Sequence, residues 1–211
     1  MAEKEMRKRR QRRADGEQSR ARILDAATEI AAERGYEGTS IGAVSAKCGL
    51  PASSIYWHFK DKDDLIGAVI ERSFANWLKV WQLPEDLLAR DRLMEVAAGT
   101  AKAVLDSPDF LRLGLMLALE RRPVEPRARA MYIQVRDQAF EALKTSMSGL
   151  VPNLTEEQVR QLATYAIAGA DGLFIAKEIG GDSVDLLGLF AIHGQAIYDT
   201  ALRMLEENEN R

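Results

Sequence analysis

The sequence has few of the residues that build disulfide-linked or metal-bound scaffolds. Among its 211 residues are one cysteine, Cys48, and two histidines, His58 and His193. A single cysteine cannot form a disulfide within the chain, which favours a reducing compartment, and we expect it to be a small buried apolar residue. His193 has no cluster of His, Cys, Asp and Glu at ligand spacing around it. We therefore expect no metal site and assign His193 to helix packing or an interface.

Long apolar runs and catalytic motifs are also missing. No apolar segment approaches the ~20 residues of a membrane span, and the charged N-terminus lacks the apolar segment of a secretory signal. The sequence contains no glycine-rich phosphate loop and no serine elbow. These absences predict a cytoplasmic, non-enzymatic protein with no cofactor and no membrane partner.

Charge is distributed unevenly along the chain. Residues 1–22 contain nine basic and four acidic side chains, a net charge of +5, whereas the whole chain carries −3 and the remainder therefore −8. Such asymmetry is expected of a protein that contacts a polyanion at one end only. Because residues 1–16 show no apolar periodicity, we predict a disordered basic arm there. It either adds salt-dependent affinity for DNA or is simply a solvated tail.

Apolar residues recur at helical spacing along the rest of the chain, and no segment has the alternation of a strand. We expect Gly35 and Gly49 to end the first two helices, and Asp182 or Ser183 to cap the last. The predicted helices cover about 17–34, 41–48, 52–59, 61–81, 85–106, 108–121, 127–148, 155–179 and 183–207.

These helices predict an all-α fold with two parts. Residues 17–62 are predicted to contain the first three helices, and the long fourth helix continues to about residue 81. Pro84 marks the boundary to a second helical part over residues 84–207.

The segment from Thr39 to Lys62 has the pattern of a helix-turn-helix, with two short helices around Gly49-Leu50-Pro51. A recognition helix needs small or hydrogen-bonding side chains at its first turn to enter the ~12 Å major groove of double-stranded DNA. It also needs donors to phosphate at its margins. Packing between helices is the alternative role for its aromatic residues. The predicted DNA contacts are Thr39, Ser40, Ala52, Ser53, Ser54, Tyr56, Trp57, His58 and Lys62.

The run from about Arg22 to Ile70 resembles the DNA-binding domain of the TetR (tetracycline repressor) family of transcriptional regulators. This resemblance implies a recognition helix at residues 52–58, with Tyr56, His58 and Lys62 contacting the DNA backbone. It also implies that residues 17–62 are an N-terminal helix-turn-helix DNA-binding domain and that residues 84–207 are a helical effector-binding and dimerisation domain. The expected assembly is a homodimer on a partly palindromic operator. The sequence departs from the family at Pro51, where Ser or Thr is frequent, so one phosphate donor is missing. The matching blocks are Ile23 to Ala27, Gly35-Tyr36, Thr39 to Ile41, Ala43-Val44, Gly49-Leu50, Ile55 to Lys62 and Leu65.

The last two predicted helices carry the sequence evidence for self-association. Small residues crowd one helix and an apolar stripe follows the other, and two such helices from each chain can form a four-helix bundle around a twofold axis. An intramolecular core built from the same residues is the alternative. The predicted dimer interface consists of Ala166, Gly169, Ala170, Leu173, Leu186, Leu189, Phe190, His193, Ile197 and Met204.

The helices between these two ends are where relatives in the family bind a small effector. Aromatic and methionine-rich stripes there predict a mostly apolar ligand oriented by a few polar groups, although such stripes more often form ordinary cores. The predicted pocket residues are Trp77, Trp81, Phe110, Leu113, Met116, Leu117, Glu120, Met131, Gln134, Val135, Tyr165 and Asp171.

The sequence therefore predicts a transcriptional regulator, a repressor that a small apolar ligand releases from its operator. One alternative is a DNA-binding regulator whose C-terminal domain only dimerises or senses a protein partner. Another is an enzyme with an accessory DNA-binding head, against which the missing catalytic motif weighs. A cavity lined by the pocket residues would favour the ligand, and a collapsed core would favour the protein partner.

Overall fold

The computed structural model describes residues 2–78 and 89–210, and all regular elements within these ranges are helical. The predicted all-α fold is confirmed. The described helices are α1 (Ala2–Gly38), α2 (Ile41–Cys48), α3 (Ala52–His58), α4 (Lys62–Leu78), α5 (Ala89–Asp106), α6 (Asp109–Leu119), α7 (Arg127–Leu150), α8 (Glu156–Gly180) and α9 (Leu186–Glu209), with a 3₁₀ turn at Gly181–Ser183.

The chain divides into two compact units. Unit 1 consists of Met1–Ser73 and Arg112–Ile133, and unit 2 of Phe74–Leu111 and Gln134–Arg211. The division differs from the predicted boundary at Pro84, because residues 112–133 belong with the N-terminal helices. Pro84, Trp81 and the predicted start of the fifth helix at residue 85 lie outside the described residues.

Helix α1 is longer than the sequence predicted. Residues 2–16 belong to it, so the prediction of a disordered arm is wrong for this structure. The segment is built largely from Ala, Glu, Met, Arg, Lys and Gln, and it contains no proline. These residue types have high helix propensity. Gly35 interrupts the helix with φ 68° and ψ −174°, at the position where the sequence predicted its end.

The core of unit 1 locks α3 beneath its exposed face. Ile55 is fully buried among apolar residues of α1, α2 and α4, such as Ile23, Val44 and Leu65. Burial of each such side chain contributes roughly 1.5–3 kcal/mol. The orientation of α3 therefore depends on Ile55, the buried residue of this helix, and its polar residues are left outside or half-buried.

Unit 2 is organised around α9, which packs along α5 and α8. Two glycines permit this close packing. A Cβ atom at Gly194 would lie 3.0 Å from the Cβ of Ala97, and one at Gly169 would overlap the ring of His193. The core of this unit contains Leu93, Leu143, Met147, Val159, Leu162, Ala163, Ile197 and Ala201.

Helix α8 begins at the predicted capping box, in which Thr155 and Gln158 exchange side-chain and backbone hydrogen bonds. The predicted cap of the last helix is wrong. Asp182 and Ser183 lie in the 3₁₀ turn, and the Asp185 carboxylate accepts a hydrogen bond from the backbone N–H of Gly188. Because Asp182 and Ser183 belong to the 3₁₀ turn, α9 starts later than the sequence predicted.

Candidate DNA-binding surface and ligand cavity

The turn between α2 and α3 is fixed by local hydrogen bonds. Gly49 adopts a left-handed conformation with φ 67 and ψ 22 degrees, which glycine reaches without steric cost. Its N–H donates to the Ser45 carbonyl at 3.0 Å. The Ser45 hydroxyl donates to the Leu50 carbonyl at 2.7 Å, and Pro51 then enters α3 with φ −63°. These bonds hold α3 at a defined angle to α2, which is the geometry of a helix-turn-helix.

The outer face of α3 presents hydrogen-bonding and aromatic side chains to solvent. Ser53 is exposed, and Tyr56 and Trp57 are 57% and 76% exposed. Large aromatic side chains are costly to leave in water, so their exposure on this helix indicates a binding surface rather than a core. Tyr56 and Trp57 therefore do not have the alternative role of packing between helices.

The remaining predicted contacts on α2 and α3 differ in accessibility. The exposed Ser40 caps α2, and its hydroxyl oxygen accepts a hydrogen bond from the Ala43 N–H at 3.2 Å. Ala52, Ser54 and His58 are half-buried. Burial, together with the charge of Arg20, holds the pKa of His58 below its usual value.

The structure gives two of the predicted phosphate contacts partners within the chain. Thr39 is 1% exposed and its hydroxyl donates to the Gly35 carbonyl at 2.8 Å, so it stabilises the end of α1. Lys62 donates from Nζ to the Tyr36 carbonyl at 3.2 Å and lies 4.1 Å from the centre of the Tyr36 ring. Both side chains are used inside unit 1: the Thr39 bond lies at the end of α1, and the Lys62 bond connects α4 to α1.

A basic group that the sequence analysis missed lies beside α3. The guanidinium of Arg20 sits 5.3 Å from the centre of the Phe59 ring. Close by, Gly16 and Ser19 of α1 line an open depression together with Ser53, Ser54, Trp57 and His58. The basic helix α1 and the exposed face of α3 thus form one continuous surface. Apolar periodicity could not reveal this, because Arg20 contributes to the surface through its position and not through a motif.

A carboxylate network joins α4 to the start of α7 within unit 1. The Asp63 carboxylate accepts hydrogen bonds from the backbone N–H groups of Arg127 at 2.6 Å and Ala128 at 2.9 Å. It also accepts from the Tyr36 hydroxyl at 3.2 Å. Burial, followed by the charge and hydrogen bond of Asp63, raises the pKa of Tyr36 to about 12. Nearby, the backbone N–H of Asp64 and the guanidinium of Arg127 hold the pKa of Asp61 below its usual value.

Unit 2 encloses an apolar cavity of about 90 Å³. It lies among side chains from six helices, and the polar groups on its wall are few. Its lining consists of Phe74 and Trp77 of α4, Leu93, Val96, Ala97 and Thr100 of α5, Phe110 and Leu111 of α6, Arg136, Ala139, Leu143 and Met147 of α7, Ala166, Ile167, Ala170 and Asp171 of α8, and Phe190, His193, Gly194 and Ile197 of α9.

Three of the predicted pocket residues line this cavity: Trp77, Phe110 and Asp171. Glu120, Gln134 and Tyr165 are exposed and therefore cannot orient a buried ligand. Trp81 lies outside the described residues. The others do not line the cavity; they are Leu113, Met116, Leu117, Met131 and Val135.

The cavity has a charged side chain pair on its wall. Arg136 donates from Nη1 to Asp171 Oδ1 at 3.0 Å and from Nη2 to Oδ2 at 2.5 Å. The sequence analysis identified Asp171 but missed Arg136 and the whole contribution of α5. A signal for α5 was present in the spacing of Leu93, Val96, Ala97 and Thr100, which places them on one helical face.

Most of the predicted dimer contacts face inward and are corrected here. Leu186, Phe190 and Ile197 are 2%, 1% and 5% exposed within a single chain. His193 donates from Nε2 to the Ala166 carbonyl at 2.9 Å, since a carbonyl can only accept. Ala166 and Ala170 line the cavity, Gly169 contacts His193, and Leu173, Leu189 and Met204 are half-buried. The intramolecular alternative is therefore correct for the buried residues, and His193 is a packing histidine.

Two further properties were searched in the described part of the chain. No helix there is long and apolar enough to cross a membrane. Across the same residues, no three or more His, Cys, Asp or Glu side chains are grouped so as to hold a metal ion.

The arrangement defines a class: an all-α protein with an N-terminal helix-turn-helix and a helical second part. Residues 23–69 match the family described as "Bacterial regulatory proteins, tetR family". The N-terminal part of the chain is therefore similar to the TetR family, in agreement with the resemblance inferred from its motifs. The relatives that it matches are named as transcriptional regulators or repressors.

Curated relatives match mainly through the N-terminal region. The transcriptional regulator AcrR of Shigella flexneri is 36% identical over 67 residues, which cover 32% of this chain and 31% of AcrR. The repressor Rv1353c of Mycobacterium tuberculosis is 27% identical, with 51% of its length covered. These relatives are thus matched over a third to a half of their length. The repressor AcnR of Corynebacterium glutamicum is 27% identical over 173 residues, covering 79% of this chain and 85% of AcnR.

Solved structures share the fold along most of the chain. The fatty acid degradation regulator FadR of Bacillus halodurans has a TM-score of 0.70 at 17% identity, covering 85% of this chain and 94% of FadR. FadR of Bacillus subtilis, solved in complex with stearoyl-CoA, has a TM-score of 0.68 at 18% identity, covering 84% of this chain and 96% of that one.

Proposed function

We propose that the protein is a transcriptional repressor that binds double-stranded DNA through α3 and is released from its operator by a small apolar ligand. The observation that carries the DNA-binding part is the exposed face of α3. Ser53, Tyr56 and Trp57 are exposed on a helix locked by the buried Ile55. A recognition helix meets base edges and phosphates in this way. Repressor relatives such as AcnR support the direction of regulation.

Helix α1 supports the same surface electrostatically. Its exposed side chains include Arg7, Arg10 and Arg13. Each lysine or arginine that neutralises a phosphate releases a counterion, so it contributes about 0.9 to the slope of log affinity against log salt. Removal of residues 1–14 should therefore weaken operator binding and flatten this slope. An unchanged slope would show that α1 does not contact the DNA.

The test of DNA binding starts with selection of bound duplexes from a random pool. Affinity for the selected site is then measured by fluorescence anisotropy. Tyr56→Phe and Ser53→Ala should each weaken binding roughly tenfold, the value of one hydrogen bond to a charged or polar group, about 1.4 kcal/mol. Ser148→Ala, at an exposed serine of α7, is the matched control and should leave affinity unchanged. Failure to select any sequence would refute the proposal.

A homodimer would present two copies of α3 to successive major grooves. We propose that the contact uses the outer faces of α8 and α9 rather than their buried faces. Tyr165, Ala168, Gly172, Ile175 and Ile179 are all exposed and follow one another at spacings of three and four residues. On α9, Leu187 and Ile192 are 52% and 67% exposed. Contiguous apolar surface of this kind typically marks an interface.

Support for ligand release comes from the cavity and from α4. A collapsed core would favour a domain that only dimerises or senses a protein partner, whereas unit 2 contains an apolar cavity. The B. subtilis FadR structure, which shares this fold, is a complex with stearoyl-CoA. Helix α4 begins at Lys62, just after α3, and its Phe74 and Trp77 line the cavity.

The proposed release mechanism is a shift of α4 on ligand binding, which changes the spacing of the two recognition helices. A ligand can do this only if its affinity differs between the two spacings. Operator affinity measured with and without a ligand bound to the cavity tests the mechanism. Equal affinities would leave a DNA-binding regulator whose unit 2 does not respond to ligand.

A further inference from the structure

The cavity of unit 2 and an open depression on the surface of the same unit share part of their walls. Arg136, Ile167 and Asp171 line both. These three side chains therefore separate the cavity from solvent on this side, between α7 and α8. Two of them form the bidentate ion pair described above, so opening this wall requires the pair to separate or to change partner.

We propose that the cavity binds a carboxylic acid with an apolar tail, whose carboxylate replaces Asp171 on Arg136. The inference rests on the proposed ligand-responsive function and names the chemical class of the ligand. The acid would enter between α7 and α8, with the tail in the cavity and the carboxylate at the shared wall.

The donors on the wall call for a ligand that accepts hydrogen bonds. Arg136 presents a planar fork of N–H groups that matches a carboxylate and cannot be neutralised near pH 7. The Nε1–H of Trp77 is buried at the cavity and has no hydrogen-bond partner among the described residues. An unpaired buried donor is costly, and an oxygen acceptor on the ligand would satisfy it. Both groups donate, and neither can accept.

The exchange of partners on Arg136 is favoured by the position of Asp171. Its side chain also lines the open depression, so a displaced carboxylate meets solvent and remains hydrated. A cationic head group would pair with Asp171 and leave Arg136 without its carboxylate, which is costly for a partly buried charge. An uncharged head group can accept a hydrogen bond from Arg136, but it cannot replace the negative charge of Asp171 or bind the guanidinium as a bidentate carboxylate does.

The size of the cavity limits the tail. Its volume is about 90 Å³. An engineered apolar cavity of roughly 150 Å³ holds benzene, so the space here is smaller than that. A short chain fits this space, whereas a longer tail such as that of octanoate must widen the cavity. Each methylene group that becomes buried should tighten binding roughly fourfold until the cavity is full, after which the gain should stop.

The first test uses the unaltered full-length chain and isothermal titration calorimetry. The probes are hexanoate, octanoate and decanoate, with 1-octanol and octylamine as neutral and cationic partners of the same length. Octanoate should bind at least tenfold more tightly than octanol or octylamine. Binding of octanol or octylamine as tight as that of octanoate would overturn the inference and leave the proposed ligand-responsive regulator standing.

The second test uses variants. Arg136→Met should weaken octanoate at least tenfold and change octanol less than twofold, whereas Asp171→Asn should tighten octanoate by removing its competitor. Arg160→Met is the matched control, because Arg160 forms an exposed bidentate pair with Glu157 on α8 and does not line the cavity. Unchanged octanoate affinity in Arg136→Met would overturn the inference. If none of the probes binds, the ligand class is overturned, while operator binding is judged separately by anisotropy.

Discussion

Asp63 connects α4 to the first turn of α7, and its replacement by alanine tests how far unit 1 depends on this connection. The carboxylate accepts from two backbone N–H groups of α7, those of Arg127 and Ala128, and from the hydroxyl of Tyr36. Helix N-termini have N–H groups without intrahelical partners, and Asp63 satisfies two of them from a different helix. Asp63→Ala leaves all three donors without this acceptor.

The expected loss of stability follows from two contributions. Removal of a helix N-cap costs about 0.5–2 kcal/mol. Tyr36 is 8% exposed, and a buried hydroxyl that loses its partner costs about 1–3 kcal/mol. Together, Asp63→Ala should lower the free energy of unfolding by about 1.5–5 kcal/mol. Asp63→Asn should lose less, because its amide oxygen still accepts one hydrogen bond.

The measurement is equilibrium unfolding in urea, followed by circular dichroism. Asp106→Ala serves as the control, since Asp106 is the exposed last residue of α5. A surface substitution of this kind should change stability by no more than about 0.5 kcal/mol. If Asp63→Ala were as stable as this control, the hydrogen bonds of Asp63 would contribute nothing and the reasoning would be refuted.

Three further predictions concern other parts of the molecule. Ile179→Glu should raise the dimer dissociation constant, measured by sedimentation velocity, at least about a hundredfold. The reason is that a twofold-symmetric interface contains the new carboxylate of both chains. Val124→Glu, at a position 80% exposed, should have no effect, and equal behaviour of the two would refute the proposed interface. Gly169→Ala should cost about 1–3 kcal/mol of unfolding free energy through overlap with the neighbouring ring. Gly149→Ala is the control and should not lower the free energy of unfolding, because the space around Gly149 is open. An unchanged stability of Gly169→Ala would contradict the close approach of Gly169 to the His193 ring. The raised pKa of Tyr36, about 12 against an ordinary 10.0, means that the folded chain holds this proton more tightly. The stabilisation of the fold by the protonated Tyr36 hydroxyl is complete below the unfolded pKa of 10.0. It is lost as the pH rises from there to about 12. The pKa of Tyr36 can be measured from tyrosinate absorbance in Asp63→Ala. It should fall but stay above 10.0, because burial is the largest cause of the shift. An unchanged pKa would exclude a role for the Asp63 carboxylate.

Features set by neighbouring residues could be predicted from the sequence. Gly49 followed by Pro51 specified the turn before α3, because only glycine reaches the left-handed conformation cheaply and proline starts a helix without needing its N–H. The capping box at Thr155 and the exposed face of α3 followed from equally local patterns. The family resemblance came from the same stretch of chain, so fold class and DNA-binding surface were predicted together.

Features set by distant residues could not be predicted in this way. The apolar periodicity of α9 showed which residues share a face but not whether that face meets its own chain or a second copy, and Phe190 turned out to be buried inside. Arg136 was not predicted as a site residue, because only the fold places Asp171 of α8 opposite it. Thr39 and Lys62 matched DNA-contact motifs, yet both hydrogen bond to the end of α1. For Phe190, Arg136 and Lys62 a contact with another helix decides the role, whereas Thr39 bonds locally to Gly35.

The position of Asp63 also has a consequence for the order in which the chain folds. The acceptor for the first amides of α7 lies 64 residues earlier in the sequence. During synthesis, Asp63 leaves the ribosome long before Arg127, so the N-terminal helices can be in place when α7 appears. A fragment that begins after α4 would lack this acceptor, and the first turn of its α7 should fray and exchange its amide protons rapidly. The start of α7 is thus the last part of unit 1 that can become ordered.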